Sequence, residues 1–583
     1  VATSASAQGS SASPLVRYWV TLTDKNGVSF NARQYFSVQA QARRQRQHLP
    51  AFEASDLPVR ADYVAAIAAR VDTVTLVSRW FNAVACQATA AQAATLRGLL
   101  GVRAVQAWPH RQSEAARFGK NSEPRGPRKP ISANDLLLAR RQTAHLDGAA
   151  LRAAHLDGHG LRIAVFDVGF QGLLDHPAFQ ELVSSKRIVA THDFLRNRDD
   201  VFQTGNHGTE VMGCLAGRLP TGSNGAFGAP LGLAPGAEYL LARTEQLHRE
   251  RYAEEEAWLA AVEWADRLGA DIINSSLAYT EQRYFPEQMD GRRSLIARAA
   301  NLAARKGMLV VSAAGNDGDD DWVRIGTPAD ADSVLAIGGL DPETGLHVEF
   351  SSVGPTADRR VKPNLSAFGI VLTTTSKYYE RLEGTSFSSP LVAGFAACLW
   401  QEHRQLTAMQ LFQALEKSAE LYPYFDYAHG YGRPRLQNFE RQLELPPDGP
   451  VPTFDFVAHD SLVAVVIRPE AAVRPAEFLP LVADQNDLVT PATPLAADAK
   501  ASADGNVPRV GREQAAPASS APLPEPNYPA YLYWNVADRH GVLHRYETRA
   551  VTQRLVVQVP RRLLRAGEVL RVHFKGYTGT YSE

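Results

Sequence analysis

Cysteine is scarce in this 583-residue chain: Cys86, Cys214 and Cys398 are the only three. Thiols so few and so scattered exclude a disulfide-stapled scaffold and a cysteine-built zinc site. They read as small buried apolar side chains. A Cys214–Cys398 bridge is open to the chain if the helices carrying the two thiols touch, and sequence does not establish that geometry. Net charge is lacking too. The 61 Lys and Arg residues against 62 Asp and Glu leave a formal charge of −1. No overall basic field therefore draws the chain to nucleic acid or to an anionic membrane. No apolar run is long enough to span a bilayer, and no internal repeat is visible. Neither a nucleic-acid nor a membrane partner is expected, and the chain is expected to act as a monomer.

What is present is ordinary for a globular protein: 45% hydrophobic and 21% charged residues. The length implies three or four folding units. Residues 1–13 are rich in Ser and Ala and are expected to be disordered. Within them Ala5-Ser6-Ala7, before Gln8, has the small-x-small form of a signal-peptidase site, so the chain is expected to be exported. Residues 14–109 carry the pattern strand, helix, strand, strand, helix, strand. Val16–Leu22 opens it, a helix covers 63–70, alternation follows in 74–77 and 80–86, a helix covers 89–100, and 102–108 closes it. That order predicts a split βαβ sandwich, a small α+β unit. Residues 110–133, rich in Arg, Lys, Gly, Pro and Ser, read as an exposed, protease-sensitive linker.

From 134 to 443 short apolar runs alternate with helical patterns. Runs such as 160–166, 270–274 and 308–312 are nearly continuous, which suits strands covered on both faces. Helical spacing fills 254–267 and 294–305. This is the rhythm of an α/β fold with a parallel sheet and helices on both faces. Residues 453–583 carry strand signals at 454–467, 530–534, 555–559 and 570–574. They read as a small β-sandwich-like domain with a flexible insertion at 484–527.

Three short motifs in the α/β segment carry chemistry, each at a strand end or a helix start, the places that line a crevice at the carboxyl edge of a sheet. Asp167-Val168-Gly169 follows a buried strand. Asn206-His207-Gly208-Thr209 opens a helix whose small residues imply close packing. Gly384-Thr385-Ser386-Phe387-Ser388-Ser389-Pro390 runs into the apolar stretch 391–400, with Ser386 at a helix start, where free amides and the dipole favour an anion. Read singly, Asp167 is a turn carboxylate, His207 a structural helix-start histidine and Ser386 an N-cap. Read together they supply a nucleophile, a base and an orienting carboxylate. Asn316, in Ala313-Ala314-Gly315-Asn316, supplies an amide for a developing oxyanion.

The order Asp, His, Ser with these motifs resembles the subtilisin (subtilase) family of serine peptidases. Gly232-Leu233-Ala234-Pro235, Asn274-Ser275-Ser276-Leu277 and Lys362-Pro363-Asn364-Leu365-Ser366-Ala367 also fit the family pattern. The resemblance covers about half of the chain. It implies a serine endopeptidase, secreted and made as a zymogen, acting on proteins or peptides through an acyl-enzyme. Asp167, His207 and Ser386 match the triad and Asn316 the oxyanion residue. Ser276, Leu277 and Ala278 match the segment that pairs with the substrate backbone. Ala313, Ala314 and Gly315 match the lining of the pocket before the scissile bond, whose small side chains suggest room for a large apolar group. Residues 14–109 match the inhibitory propeptide, the chain's own intramolecular partner. Val168 stands where the family has Ser or Thr, and Ala278 where it has Gly. No cofactor is implied. The acidic run 317–321 would suit a structural calcium ion but reads more simply as a solvated loop. A catalytically silent binding protein on the same fold, and a peptide ligase or cyclase, remain open alternatives at this point.

Overall fold

The computed structural model describes residues 13–108, 131–220, 228–246, 252–280, 283–443, 450–472, 528–551 and 556–582. The signal-like Ala5-Ser6-Ala7, most of the expected linker and the expected flexible insertion lie outside these residues.

The N-terminal unit is a four-stranded antiparallel sheet of β1 (Val16–Leu22), β2 (Thr73–Ser78), β3 (Ala83–Ala88) and β4 (Val102–Ala107), in the order β2-β3-β1-β4. This is the split βαβ order, with helices Ala61–Ala68 and Ala90–Leu96 as its crossovers. Two helices that the apolar spacing did not announce, Ala32–Tyr35 and Val38–Arg46, precede them. Val38–Arg46 reads VQAQARRQR, polar nearly throughout. Its Arg43 and Arg44 are nevertheless buried, against the neighbouring unit. A helix whose buried face is ionic leaves no hydrophobic periodicity to detect.

The central unit carries a seven-stranded, fully parallel sheet: β5 (Arg162–Asp167), β6 (Ile188–Asp193), β7 (Glu238–Arg243), β8 (Ile272–Ser275), β9 (Leu309–Ala313), β10 (Val334–Leu340) and β11 (Leu365–Phe368). Their order is β11-β10-β9-β8-β5-β7-β6. Every residue of β5, β8, β9, β10 and β11 is buried, which explains the unbroken apolar runs. One face packs on helices His207–Ala216 and Thr385–Glu402, the other on Tyr252–Leu268 and Leu295–Arg305. A hairpin, β12 (Ile370–Thr374) with β13 (Tyr379–Glu383), leads into the helix that carries Ser386. The end of the expected linker is ordered: Ser132 and Asp135 form a capping box that opens helix Ala133–Ala144.

The C-terminal unit stacks a three-stranded sheet on a four-stranded one. The first is β14 (Phe454–Ala458), β15 (Leu462–Ile467) and β18 (Val556–Pro560). The second is β16 (Tyr531–Ala537), β17 (Leu543–Ala550), β19 (Val569–Phe574) and β20 (Tyr577–Ser582). Alternate residues of β16, Leu532, Trp534 and Val536, enter the sandwich core with Phe454, Val465 and Phe574. The opposite face of β16 turns to the central unit, where Tyr533 packs on Leu421 and Tyr424.

The three thiols are buried and free. No Cys214–Cys398 bridge is formed. The two residues share the hydrophobic core, but Cys398 Sγ–H donates to the Leu233 carbonyl at 3.1 Å. Burial pushes the Cys214 thiol up to about 12 and the Cys398 thiol higher still, which keeps both unreactive.

Candidate active site

The Asp167 and Asn316 motifs follow the carboxyl ends of β5 and β9, and the His207 and Ser386 motifs open helices. Asp167 ends β5, fully buried, and its Oδ1 accepts the Val168 backbone N–H at 2.8 Å. Val168 keeps this bond although its side chain has no hydroxyl. His207 is the first residue of its helix, and that helix start is pressed onto the loop after Asp167. Gly208 N donates to the Gly169 carbonyl at 3.0 Å, and a Cβ on Gly208 would stand 2.5 Å from that oxygen. This close approach brings His207 Nδ1 to 2.9 and 3.1 Å from the two Asp167 oxygens. Burial works against the imidazolium, but the Asp167 carboxylate outweighs it by charge and hydrogen bond. With Glu210 adding to the effect, the His207 pKa rises to about 9.

Ser386 is the second residue of the buried helix Thr385–Glu402 and is 7% exposed. In the first turn a proline's missing amide would cost nothing. The structure puts Pro390 one turn later. A residue there would donate its N–H to the Ser386 carbonyl. Ser276 Oγ–H takes that place, donating to the Ser386 carbonyl at 2.9 Å. The Ser386 hydroxyl in turn donates to the Ser276 carbonyl at 3.2 Å. Asn274 holds Ser276 through Nδ2 at 3.0 Å and accepts Ser389 Oγ–H at 2.8 Å. Proline in the helix thus leaves the Ser386 carbonyl to Ser276.

Asn316 follows β9. Its Oδ1 accepts the Thr385 backbone N–H at 2.8 Å and is 2.9 Å from Thr385 Oγ1. The backbone donor fixes the amide orientation, so Nδ2 faces the other way, toward Gly384. Ala313 and Ala314 are buried, while Gly315 takes φ +118° and stands opposite Ala278. The fold therefore brings Asp167 to His207, Ser386 to Ser276, and Asn316 to the start of the serine helix. Thr385, Asn274 and Ser389 were not singled out from sequence. The hydroxyl beside the serine was the one available signal for Thr385. Among the described residues no cluster of three or more His, Cys, Asp or Glu is arranged to hold a metal ion.

The N-terminal unit docks on helices Tyr252–Leu268 and Leu295–Arg305, on the sheet face opposite the serine helix. Trp19, Trp80, Ala83 and Ala85 share a hydrophobic cluster with Trp258, Leu259, Val262 and Ala299 of the central unit. Arg43 pairs with Asp266 and bonds the Ala270 carbonyl, and Arg44 reaches Asp266 at 3.2 Å. Lys306 pairs with Asp56 at 2.6 Å, and Arg17 with Glu256 at 2.6 Å. Glu263 accepts Ser78 Oγ–H at 2.6 Å and the Trp80 N–H at 3.2 Å.

The family model described as Subtilase family matches residues 158–432. The model described as Peptidase S8 propeptide domain, Bacteroidota, matches 17–123. The thermophilic serine proteinase of Bacillus sp. (strain AK1) is 32% identical over 44% of this chain and 56% of its own length. Subtilisin DY of Bacillus licheniformis is 30% identical over 40% of this chain and 77% of its own. The chain thus spans only part of these relatives. A solved structure of a cold adapted subtilisin-like serine proteinase aligns at 22% identity with a TM-score of 0.38, over 48% of this chain and 89% of that one.

Proposed function

The chain belongs to the subtilase family, and from that premise we propose that it is a serine endopeptidase, made as a zymogen, that hydrolyses peptide bonds through an acyl-enzyme on Ser386. The observation that carries this reading is the His207 Nδ1–Asp167 pair at 2.9 Å, set at the same sheet edge as a serine on a helix N-terminus. With Nδ1 bonded to the carboxylate, Nε2 is the nitrogen that takes the serine proton and returns it to the leaving amine.

In the resting state the Ser386 hydroxyl bonds the Ser276 carbonyl. An extended substrate laid along 276–278 brings its own N–H groups to that edge. The released hydroxyl then turns to His207 and attacks the carbonyl carbon. Asn316 Nδ2, aimed by the Thr385 clamp, and the Ser386 backbone N–H receive the oxyanion. The amine leaves with the proton held by His207, and water reverses the sequence on the acyl-enzyme.

The N-terminal unit serves as an intramolecular inhibitor, released by cleavage in the linker between about 110 and 134, and the product is secreted. Casein digestion with mapping of the cut sites, alongside labelling by a serine-directed phosphonate, tests the reading. Label at Ser386 together with cleavage supports it. Labelling elsewhere with unchanged cleavage by Ser386→Ala rejects it. An absence of cleavage, with tight peptide binding instead, would favour the silent scaffold.

A further inference from the structure

Helix Tyr252–Leu268 ends at the amino edge of the parallel sheet. Gly269, at φ +82°, follows it, and Asp271 leads into β8. β8 runs from there to Ser276, which exchanges hydrogen bonds with Ser386. At about 3.3 Å per residue, the extended chain sets Asp271 roughly 17 Å from Ser276.

The end of a helix carries carbonyls without intrahelical partners and the negative pole of the dipole, so it favours donors and cations. Here the N-terminal unit supplies both. Its segment 31–57, between β1 and helix Ala61–Ala68, reaches over this end. Ser37 N donates to the Arg267 carbonyl at 2.9 Å. The Arg43 guanidinium is fully buried, and its two terminal nitrogens donate to Asp266 Oδ1 and to the Ala270 carbonyl. Arg44 brings a second guanidinium to Asp266 Oδ2 at 3.2 Å. Asp271 adds a carboxylate 3.3 Å from Arg46 and 3.3 Å from Arg404. The approach is close: a Cβ on Gly269 would stand 2.5 Å from Ala40 N. A carboxylate beside a carbonyl accepts both ends of a guanidinium fork, which the point charge of a lysine does not match.

Among the described residues, the ion-pair partners of Asp266 are Arg43 and Arg44, and both belong to the N-terminal unit. Release of that unit leaves a socket of two carbonyls and a carboxylate whose donors have gone. We propose that the processed enzyme uses this socket as an exosite, which takes an arginine on a helical segment of a protein substrate in the place that Arg43 holds in the uncut chain. This rests on the peptidase reading above and adds a substrate class to it: proteins that carry an arginine-bearing helix apart from the bond to be cut. The occupant is of this kind because such a helix, Val38–Arg46, is already seated there. The length of β8 keeps the filled socket clear of the catalytic edge.

The probe is a fluorescent peptide with the sequence of residues 31–50, added to the processed enzyme freed of its N-terminal unit. Anisotropy should show saturable binding, while hydrolysis of a short chromogenic peptide continues unchanged. Arg43→Lys in the probe should weaken binding about 10-fold or more, the loss of one charge-assisted bond. Asp266→Asn in the enzyme should do the same. Joining the 31–50 sequence to a chromogenic site should lower KM about 10-fold or more with kcat unchanged, and Asp266→Asn should remove that gain. The probe variant leaves the enzyme untouched, so the result does not hang on the folding of Asp266→Asn. No binding, equal binding by the lysine probe, or an equal KM with and without the helix overturns the exosite and leaves the peptidase reading standing. Competition between the probe and the short peptide would place the probe in the catalytic cleft and overturn it as well. If no peptide is cut at all, the peptidase reading fails, and the exosite with it.

Discussion

The two flanking units dock on the central one by the same device with opposite chemistry. Each uses a sheet that buries both faces. In β1, Val20 and Leu22 fill the N-terminal unit's own core while Trp19 faces the central unit. In β16, Leu532 and Trp534 fill the sandwich while Tyr533 faces Leu421 and Tyr424. The N-terminal contact is bordered by buried ion pairs, Arg43–Asp266 and Lys306–Asp56 among them. The C-terminal contact is aromatic and held by neutral bonds. Asn535 Nδ2 donates to the Phe425 carbonyl at 2.7 Å, and Leu543 N to Tyr427 Oη at 3.2 Å. Losing one partner of a buried ion pair strands a charge, whereas losing one neutral bond costs little. When the units part, both charges of such a pair regain water, so the ionic seam suits the release proposed for the N-terminal unit.

The largest effect separates the units through chemistry. Ser386→Ala should lower kcat by about 10⁴-fold or more, and the chain should remain uncut between its N-terminal and central units. Intact-mass spectrometry reads this directly, and equal processing of variant and wild type would assign the cut to another protease.

Proton linkage separates the site from both seams. Because Asp167 holds the His207 pKa near 9, kcat/KM should climb about tenfold per pH unit below that value and level off above it. The same pair adds stability that is fully present below about pH 6.5. That stability is lost as pH rises through about 9. An activity limb centred at or below 6.5 would contradict the raised value, and Asp167→Asn should move the limb down toward 6.5.

Next in size is the ionic seam itself. Arg43→Ala leaves Asp266 with the Arg44 contact alone and should weaken N-terminal docking by about 3 kcal/mol. The affinity of the cleaved N-terminal unit for the central unit, measured by inhibition, reports it. Unchanged affinity would mean that the apolar cluster carries the docking alone. The smallest effect belongs to the aromatic seam. Tyr427→Phe removes the acceptor for Leu543 N and should cost about 1 kcal/mol, a shift of a few degrees in Tm, with no change in inhibition by the N-terminal unit.

Much of this molecule was legible as a string. Val16–Leu22 was readable to the residue because alternation marks a strand with two different faces. The strands of the parallel sheet were readable because full burial leaves unbroken apolar runs. The helix Val38–Arg46 was not, since its buried face carries two arginines whose shared partner Asp266 lies more than 200 residues away. Nor was β17, whose exposed His544, Arg545 and Arg549 break the apolar signal.

The sequence by itself determined which groups could do chemistry. Asp, His, Ser and Asn were recognisable because each motif also carries the small residues that its backbone needs. Only the tertiary structure decided how those groups bear on one another. The Ser276–Ser386 exchange and the Thr385 clamp on Asn316 are distances between remote segments. Close packing and backbone hydrogen bonds set such distances, and neither is written in local order.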